Sequence, residues 1–283
     1  MSGPQAAWLA DGRRLHLQHG PIDLILEAWG PPPAVAAAYV RAQSRFDGLL
    51  AELVAELPAL RSPDPGPLGG PVARAMAAAV APFRPGFITP MAAVAGAVAD
   101  AVLAAMTGGG GLERAYVNDG GDIALYLTPG TEITAAIAAR AGFPDRVTVR
   151  HADPVRGIAT SGWRGRSFSL GIADAVTVLA AGGAAADAAA TVVANAVDLP
   201  GHPGVARAPA VSLQADSDLG EILVTTAVGR LASDEVEAAL AAGAARAEAL
   251  RAQGLIAAAA LFLAGSVRLV GPVALTAAEP APA

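Results

Sequence analysis

Apolar and polar positions alternate with period two over residues 14–18 and 22–27, on either side of the turn triplet His19-Gly20-Pro21, and the pattern predicts a half-buried hairpin. The period then lengthens. Between residues 34 and 57, Val35, Ala38, Tyr39, Phe46, Leu49, Leu50, Leu53 and Val54 recur near helical spacing, which predicts one helix ending before Pro58. Residues 62–71 (SPDPGPLGGP) form the clearest loop, because four prolines and three glycines sustain neither regular element. Thr89-Pro90 predicts a helix start, with Thr as N-cap and Pro in the first turn, running to about Met106 and stopped by the glycines from 108 to 111.

Downstream, residues 115–118 and 123–127 read as strands around Asp119-Gly120-Gly121-Asp122, followed by strands at 147–150 and 157–160. Residues 174–180 have the continuous apolar character of a buried strand, and Gly182-Gly183 then opens a helix from about Ala184 to Val197. After the loop LPGHPG, residues 221–226 read as a strand, Ser233 as the cap of a helix to about Ala252, and Gly254 as its stop. Strands and helices mix without the regular alternation of a doubly wound sheet, which points to an α/β (α+β layered) fold. No fixed-period repeat is found. The helices at 90–106 and 184–197 share the form Ala/Val-Ala-Asp-Ala, an echo that comes cheaply in a chain so rich in alanine. Residues 1–13 are expected to be a flexible N-terminus, 14–275 one large domain, and 276–283 a loose tail.

Composition narrows the chemistry. The chain has 283 residues, 54% of them hydrophobic, enough for a large core. A net charge of −6 with no basic face argues against a sequence-independent grip on nucleic acid. All 19 basic residues are arginine, so there is no lysine to form a Schiff base or to bind phosphate in a P-loop. With no cysteine, disulfides, thiolate catalysis and Cys-ligated metal are excluded. The N-terminus lacks the basic start and apolar core of a signal peptide. The most apolar run, residues 255–267, stops at Arg268, short of the ~18 residues of a membrane span. A cytoplasmic protein with no membrane span is expected.

The helix GGAAADAAATVVANAV places Asp187 and Thr191 four residues apart, on one face and one turn from each other. Together they can supply two oxygen ligands to Mg2+, which completes its octahedron with phosphates and water. A solvent-facing Asp and a Thr bonded back to its own helix fit the same spacing. Thr160, Ser161 and Gly162 end a strand where hydroxyls and N–H groups can meet a phosphate or a flavin edge, although an ordinary turn uses the same residues. Asn118-Asp119-Gly120-Gly121-Asp122 reads equally as a ligand-approaching turn and as an Asx-rich hairpin turn. Arg164 and Arg166 can clamp a phosphate or form a surface pair. Asp100, inside a helix of small residues, calls for a structural ion pair with an arginine. The four histidines lack metal spacing, and His151-Ala-Asp-Pro reads as a loop between strands.

In this order, the segments TPMAAVAGAVAD, NDGGDIAL, GIATSG, DAVTVLA and ADAAAT resemble the ApbE superfamily, whose best-known members are FAD:protein FMN transferases. The stretches GWRGRSFSLGIADAVTVLA and SDLGEILVT are similar to its uncharacterised ApbE-like UPF branch, and the resemblance spans roughly residues 14–265. It implies a T-fold-like single large domain with mixed sheets and small-residue helices. It also implies Mg2+ and FAD as cofactors. Asp187 and Thr191 match the family's metal ligands, and Ala92 the residue whose main-chain oxygen joins them. Gly120, Gly121 and Asp122, with Asn118 beside them, match its Gly-Gly-Asp turn, and Thr160, Ser161 and Gly162, with Arg164 beside them, its Ala-Thr-Ser-Gly turn, both at the flavin nucleotide. Two departures stand out. The transferases carry Ala-Lys-Gly where this chain has Ala95-Gly96, and their His-x-x-Asp-Pro-x-Thr-Gly segment is replaced after Gly162 by Arg164, Arg166 and Ser169-Leu170-Gly171.

Three readings follow. One is an enzyme that binds a flavin nucleotide or related phosphorylated ligand with Mg2+, through flavin transfer to a protein partner or FAD pyrophosphate cleavage. The second is a non-transferase biosynthetic or accessory protein of the same fold, for example in sulfur amino-acid metabolism. The third is structural, with the Ala/Gly helices packing a homo-oligomer.

Overall fold

The computed structural model describes residues 3–137, 145–272 and 276–277. The chain opens with strands β1 (Gln5–Trp8), β2 (Leu15–His19) and β3 (Ile22–Trp29), then helices α1 (Pro32–Asp47), α2 (Leu49–Ala55), α3 (Leu57–Leu60) and α4 (Pro71–Val80). A short 3-10 turn (Pro90–Ala93) leads into α5 (Val94–Thr107), and β4 (Arg114–Asp119), β5 (Asp122–Leu127), β6 (Glu132–Ala136), β7 (Asp145–Arg150), β8 (Gly157–Ser161) and β9 (Ala175–Ala180) follow. The remainder is α6 (Gly183–Ala196), β10 (Val205–Pro209), α7 (Ala210–Leu213), β11 (Leu223–Val228), α8 (Ser233–Ala252), β12 (Ala258–Leu263), β13 (Ser266–Val270) and β14 (Thr276–Ala277). This is the mixed α+β order that the unalternating pattern predicts.

Contacts divide the chain into two compact units. The first comprises Met1–Ile133, Val149–Ala159 and Ala180–Ala188. Here β1 to β5 run as an antiparallel meander, and β8 joins β5 with Ile158 opposite Ile123. The register sets Leu15 beside Leu26 beside Val117, and Leu17 beside Leu24 beside Asp119, so one face is a continuous buried surface that ends in a carboxylate. Helix α1 packs on β2, β3 and α5, and α5 packs on β4 and β5. Arg41 of α1 donates from its guanidinium to the carbonyls of Ala105 (2.9 Å) and Met106 (2.6 Å), satisfying the last turn of α5 where the helix dipole favours a cation.

Helix α5 buries Gly96, Ala97, Val98, Ala99, Val102, Leu103 and Met106. With its preceding turn it spans Pro90–Thr107, a stretch long and apolar enough to cross a membrane by length and composition, yet half of it is buried within the protein. Close packing explains its small residues. A Cβ on Gly96 would lie 2.2 Å from the carbonyl oxygen of Gly183, and one on Gly157 would lie 2.0 Å from that of Gly182. The first turn of α6 is thus wedged between α5 and β8 at a distance only glycine permits.

The second unit comprises Thr134–Thr148, Thr160–Leu179 and Ala189–Ala283. Its strands β9, β12 and β13 are antiparallel, with Leu261 opposite both Val176 and Arg268, and α8 packs on β12 and β13. Strands β10 and β11 form a separate ribbon.

Several elements depart from the pattern reading. The helix expected over 34–57 is broken at Gly48 into α1 and α2, and Pro58 lies inside α3 because a proline is tolerated in a first turn. Thr89 makes no side-chain cap. Ser233 lies in the first turn of α8, where Glu235 accepts the Ala232 N–H instead. Residues 5–8, in the N-terminal stretch expected to be loose, form the edge strand β1. Helix α4 and strands β6, β10, β12 and β13 were not read from periodicity. Of the tail, Thr276 and Ala277 pair with β7, and 278–283 lie outside the described residues.

Substitution at two glycines separates close packing from chain flexibility. Gly96→Ala forces backbone apart and is expected to destabilise by at least roughly 1–3 kcal/mol. Gly48→Ala meets nothing within 4 Å at φ −98 and is expected to be neutral or to stabilise by up to about 1 kcal/mol. Urea unfolding midpoints of the two variants check both signs.

Candidate functional site

The residues singled out in the sequence fall into two groups, one in each unit. In the first unit, Asp187 stands on the opening turns of α6, and its carboxylate reaches α5, where it accepts the N–H of Gly96 at 3.0 Å and that of Ala95. These are donors that the start of α5 leaves without helical partners, and α5 has no cap of its own. Ala92 sits just upstream, in the 3-10 turn that leads into α5. The hairpin from β4 to β5 brings Asp119 and Asp122 close enough to act electrostatically on Asp187.

Burial pushes the Asp187 carboxyl well above the usual carboxylate range. The negative charge of Asp122 adds to this, and that of Asp119 adds less, while the Gly96 and Ala95 N–H groups oppose it. No arginine or histidine pairs with Asp187 among the described residues. A carboxylate so placed gains from a cation. Nor do any three His, Cys, Asp or Glu side chains form a ready metal cage among the described residues. A cation held here would have to draw most of its ligands from elsewhere than these side chains. Thr191, which falls in the second unit, follows Asp187 by one turn on the same helix.

The Asn118 to Asp122 turn is a tight hairpin with Gly120 at φ 61 and Gly121 at φ 119. The Asn118 side chain accepts the Gly121 N–H at 2.8 Å, so its amide oxygen holds the turn rather than facing outward. The glycines themselves are exposed.

In the second unit, Thr160 and the buried Thr177 share a hydroxyl–hydroxyl bond of 2.8 Å, and Ser161 is half-buried beside them. A Cβ on Gly162 would lie 2.7 Å from the Asp174 carbonyl oxygen. Arg164 donates to the Asp174 carboxylate and lies over the Trp163 ring at 4.5 Å, so of the two roles open to it the structure shows the pair. The segment from Ser169 to Gly171 is anchored from α6, where Asn195 accepts the Leu170 N–H at 2.9 Å and the Ser169 hydroxyl.

Asp100 corrects an expectation. Among the described residues no arginine meets it. Its two carboxylate oxygens accept the N–H groups of Gly183 and Ala184, each at 2.9 Å, capping α6 from the neighbouring helix. Sequence reasoning missed this role, and it missed Asp119 as part of the charged group. The one signal for the first was the Asp-centred echo between the two helices.

A family model described as AbpE bacteria matches residues 6–269. The chain belongs to that ApbE-like family. Among curated proteins it is 37% identical to a UPF0280 protein of Methanococcoides burtonii over 123 residues, 43% of this chain and 51% of the relative. It is 38% identical to one of Methanothrix thermoacetophila over 115 residues (39% and 46%) and 36% identical to one of Methanothermobacter thermautotrophicus over 123 (41% and 46%). The chain thus spans about half the length of the curated relatives it matches.

The raised Asp187 carboxyl has a definite consequence for stability. Above the ordinary Asp value of about 3.9 the unfolded chain loses this proton while the folded chain keeps it. The stability it contributes is therefore complete below that value and is lost as pH rises toward the folded-state pKa. The slope is at most about 1.4 kcal/mol per pH unit. In chelator-treated protein, Asp187→Asn is expected to flatten this decline in urea midpoints measured from pH 4 upward. Identical slopes in variant and wild type would contradict it.

Proposed function

We propose that this protein binds a flavin nucleotide, FAD or FMN, or a closely related phosphorylated ligand, together with Mg2+. The observation that carries the reading is the half-buried Asp187 carboxylate, which lies near two further acids, has no cationic partner among the described residues and is held in place by backbone N–H groups. Asp187, Thr191 and the main-chain oxygen of Ala92 would hold the metal. When bound, Mg2+ supplies positive charge for the phosphate oxygens of the ligand and, in a reaction, for the oxygen of the departing phosphate. Gly120, Gly121 and Asp122 would border the ligand in the first unit. In the second unit, Thr160, Ser161 and Gly162 carry hydroxyls and N–H groups of the kind that meet a phosphate, and Arg164 is engaged by Asp174.

In the enzymatic form of this reading, the chain cleaves the FAD pyrophosphate in the cytoplasm, releasing AMP and leaving FMN on a protein hydroxyl or on water. A specific feature favours a second form, binding without transfer. The transferase lysine is replaced at Ala95-Gly96, and the backbone N–H groups of those two residues are already given to Asp187. The non-transferase biosynthetic or accessory role belongs to this second form.

The experiment is titration of the purified chain with FAD in Mg2+ and in chelator, with chromatography for AMP and FMN. Mg2+-dependent binding, lost at least tenfold in Asp187→Ala, is the expected result, and a tenfold loss corresponds to about 1.4 kcal/mol. AMP release selects transfer or cleavage, and binding without turnover selects the accessory role. Absence of binding to FAD, FMN and AMP in either condition rejects the proposal.

A further inference from the structure

Helices α5 and α6 carry the same local motif, Gly-x-x-x-Asp, as Gly96 to Asp100 and as Gly183 to Asp187. In the first unit the two motifs meet head to head. A Cβ on Gly96 would strike the Gly183 carbonyl oxygen, and one on Gly183 would lie 2.7 Å from the Gly96 carbonyl oxygen. One turn beyond each glycine, the aspartate crosses to the start of the other helix. Asp187 takes the N–H groups of Ala95 and Gly96, and Asp100 takes those of Gly183 and Ala184. Neither helix supplies a cap for itself. α5 has no side-chain cap, and α6 is preceded by Ala181 and Gly182.

We infer that Asp100 is the positioning residue for the Asp187 carboxylate, an inference that rests on Asp187 as a metal ligand in the proposed function. Asp100 grips the first two N–H groups of α6, and Asp187 stands one turn further along that helix. The reach of Asp187 to α5 therefore depends on how α6 is seated, and Asp100 seats it. The two backbone N–H groups that hold Asp187 leave lone pairs on its carboxylate oxygens for a cation. Asp100 thus acts at the metal through the helix, as an outer partner that orients a ligand.

The test uses the full chain in sucrose, which favours the compact state so that variants are compared folded. Wild type, Asp100→Asn, Asp187→Asn and Arg41→Ala are compared by two readouts. Arg41→Ala uncaps the far end of α5 and serves as a control for general destabilisation. The first readout is amide hydrogen exchange of the peptide containing Ala95 and Gly96 in metal-free protein. Asp100→Asn is expected to speed exchange there more than Arg41→Ala does. The second is Mg2+ affinity by calorimetry, expected to fall about 10- to 100-fold in Asp100→Asn and to change little in Arg41→Ala. Unchanged exchange and affinity in Asp100→Asn, or equal losses in Arg41→Ala, overturn the inference. If wild type binds no Mg2+, or binds it independently of Asp187, the proposed function fails on that result, and the exchange readout alone then decides whether Asp100 positions Asp187.

Discussion

The contact between Gly96 and Gly183, closed on both sides by reciprocal aspartate caps, is the constraint on which the first unit depends. Helix starts carry N–H groups without partners, and burying them unpaired costs free energy comparable to a lost hydrogen bond. Here each helix satisfies the other's, and the exchange requires backbones to approach to a distance that any side chain would forbid. The alanine-rich character of α5 and α6 follows from this. Small residues let the helices meet, and alanine sustains the helix while they do.

The same arrangement makes Asp187 an electrostatic compromise. Its carboxylate gains two backbone N–H groups, but burial and two neighbouring acids outweigh them, so the metal-free fold holds the group protonated beyond its ordinary range. A divalent cation would reverse the balance, because it satisfies the charge that the protein leaves unpaired. Affinity for metal would then compete with protons. A carboxylate already oriented by the structure loses less freedom on binding than one on a mobile loop.

Family membership rests on a match along residues 6–269, and local hydrogen bonds show how this chain ties that scaffold together. Ala95 and Gly96 give their backbone N–H groups to Asp187, and the Gly120-Gly121-Asp122 turn closes the β4 to β5 hairpin. The segment that follows Gly162 is tied to α6 through Asn195 and to Asp174 through Arg164. Those ties are structural bonds.

Local sequence by itself determined the hairpin at His19-Gly20-Pro21, the two-glycine turn at Asn118 to Asp122, the buried strand before Gly182 and the helix that spaces Asp187 from Thr191. Each depends on periodicity or turn chemistry over a few residues. Motif order along most of the chain also indicated the family. Strands β12 and β13 were hidden in an apolar run with no alternation, because β12 is buried on both faces. The role of Asp100 was invisible for a different reason. A buried carboxylate announces that it needs a partner but not which, and its partners are backbone N–H groups 83 and 84 residues away. Only the tertiary structure, by bringing Gly96 against Gly183, decided that two similar helices hold each other and that Asp187 stands near two other acids.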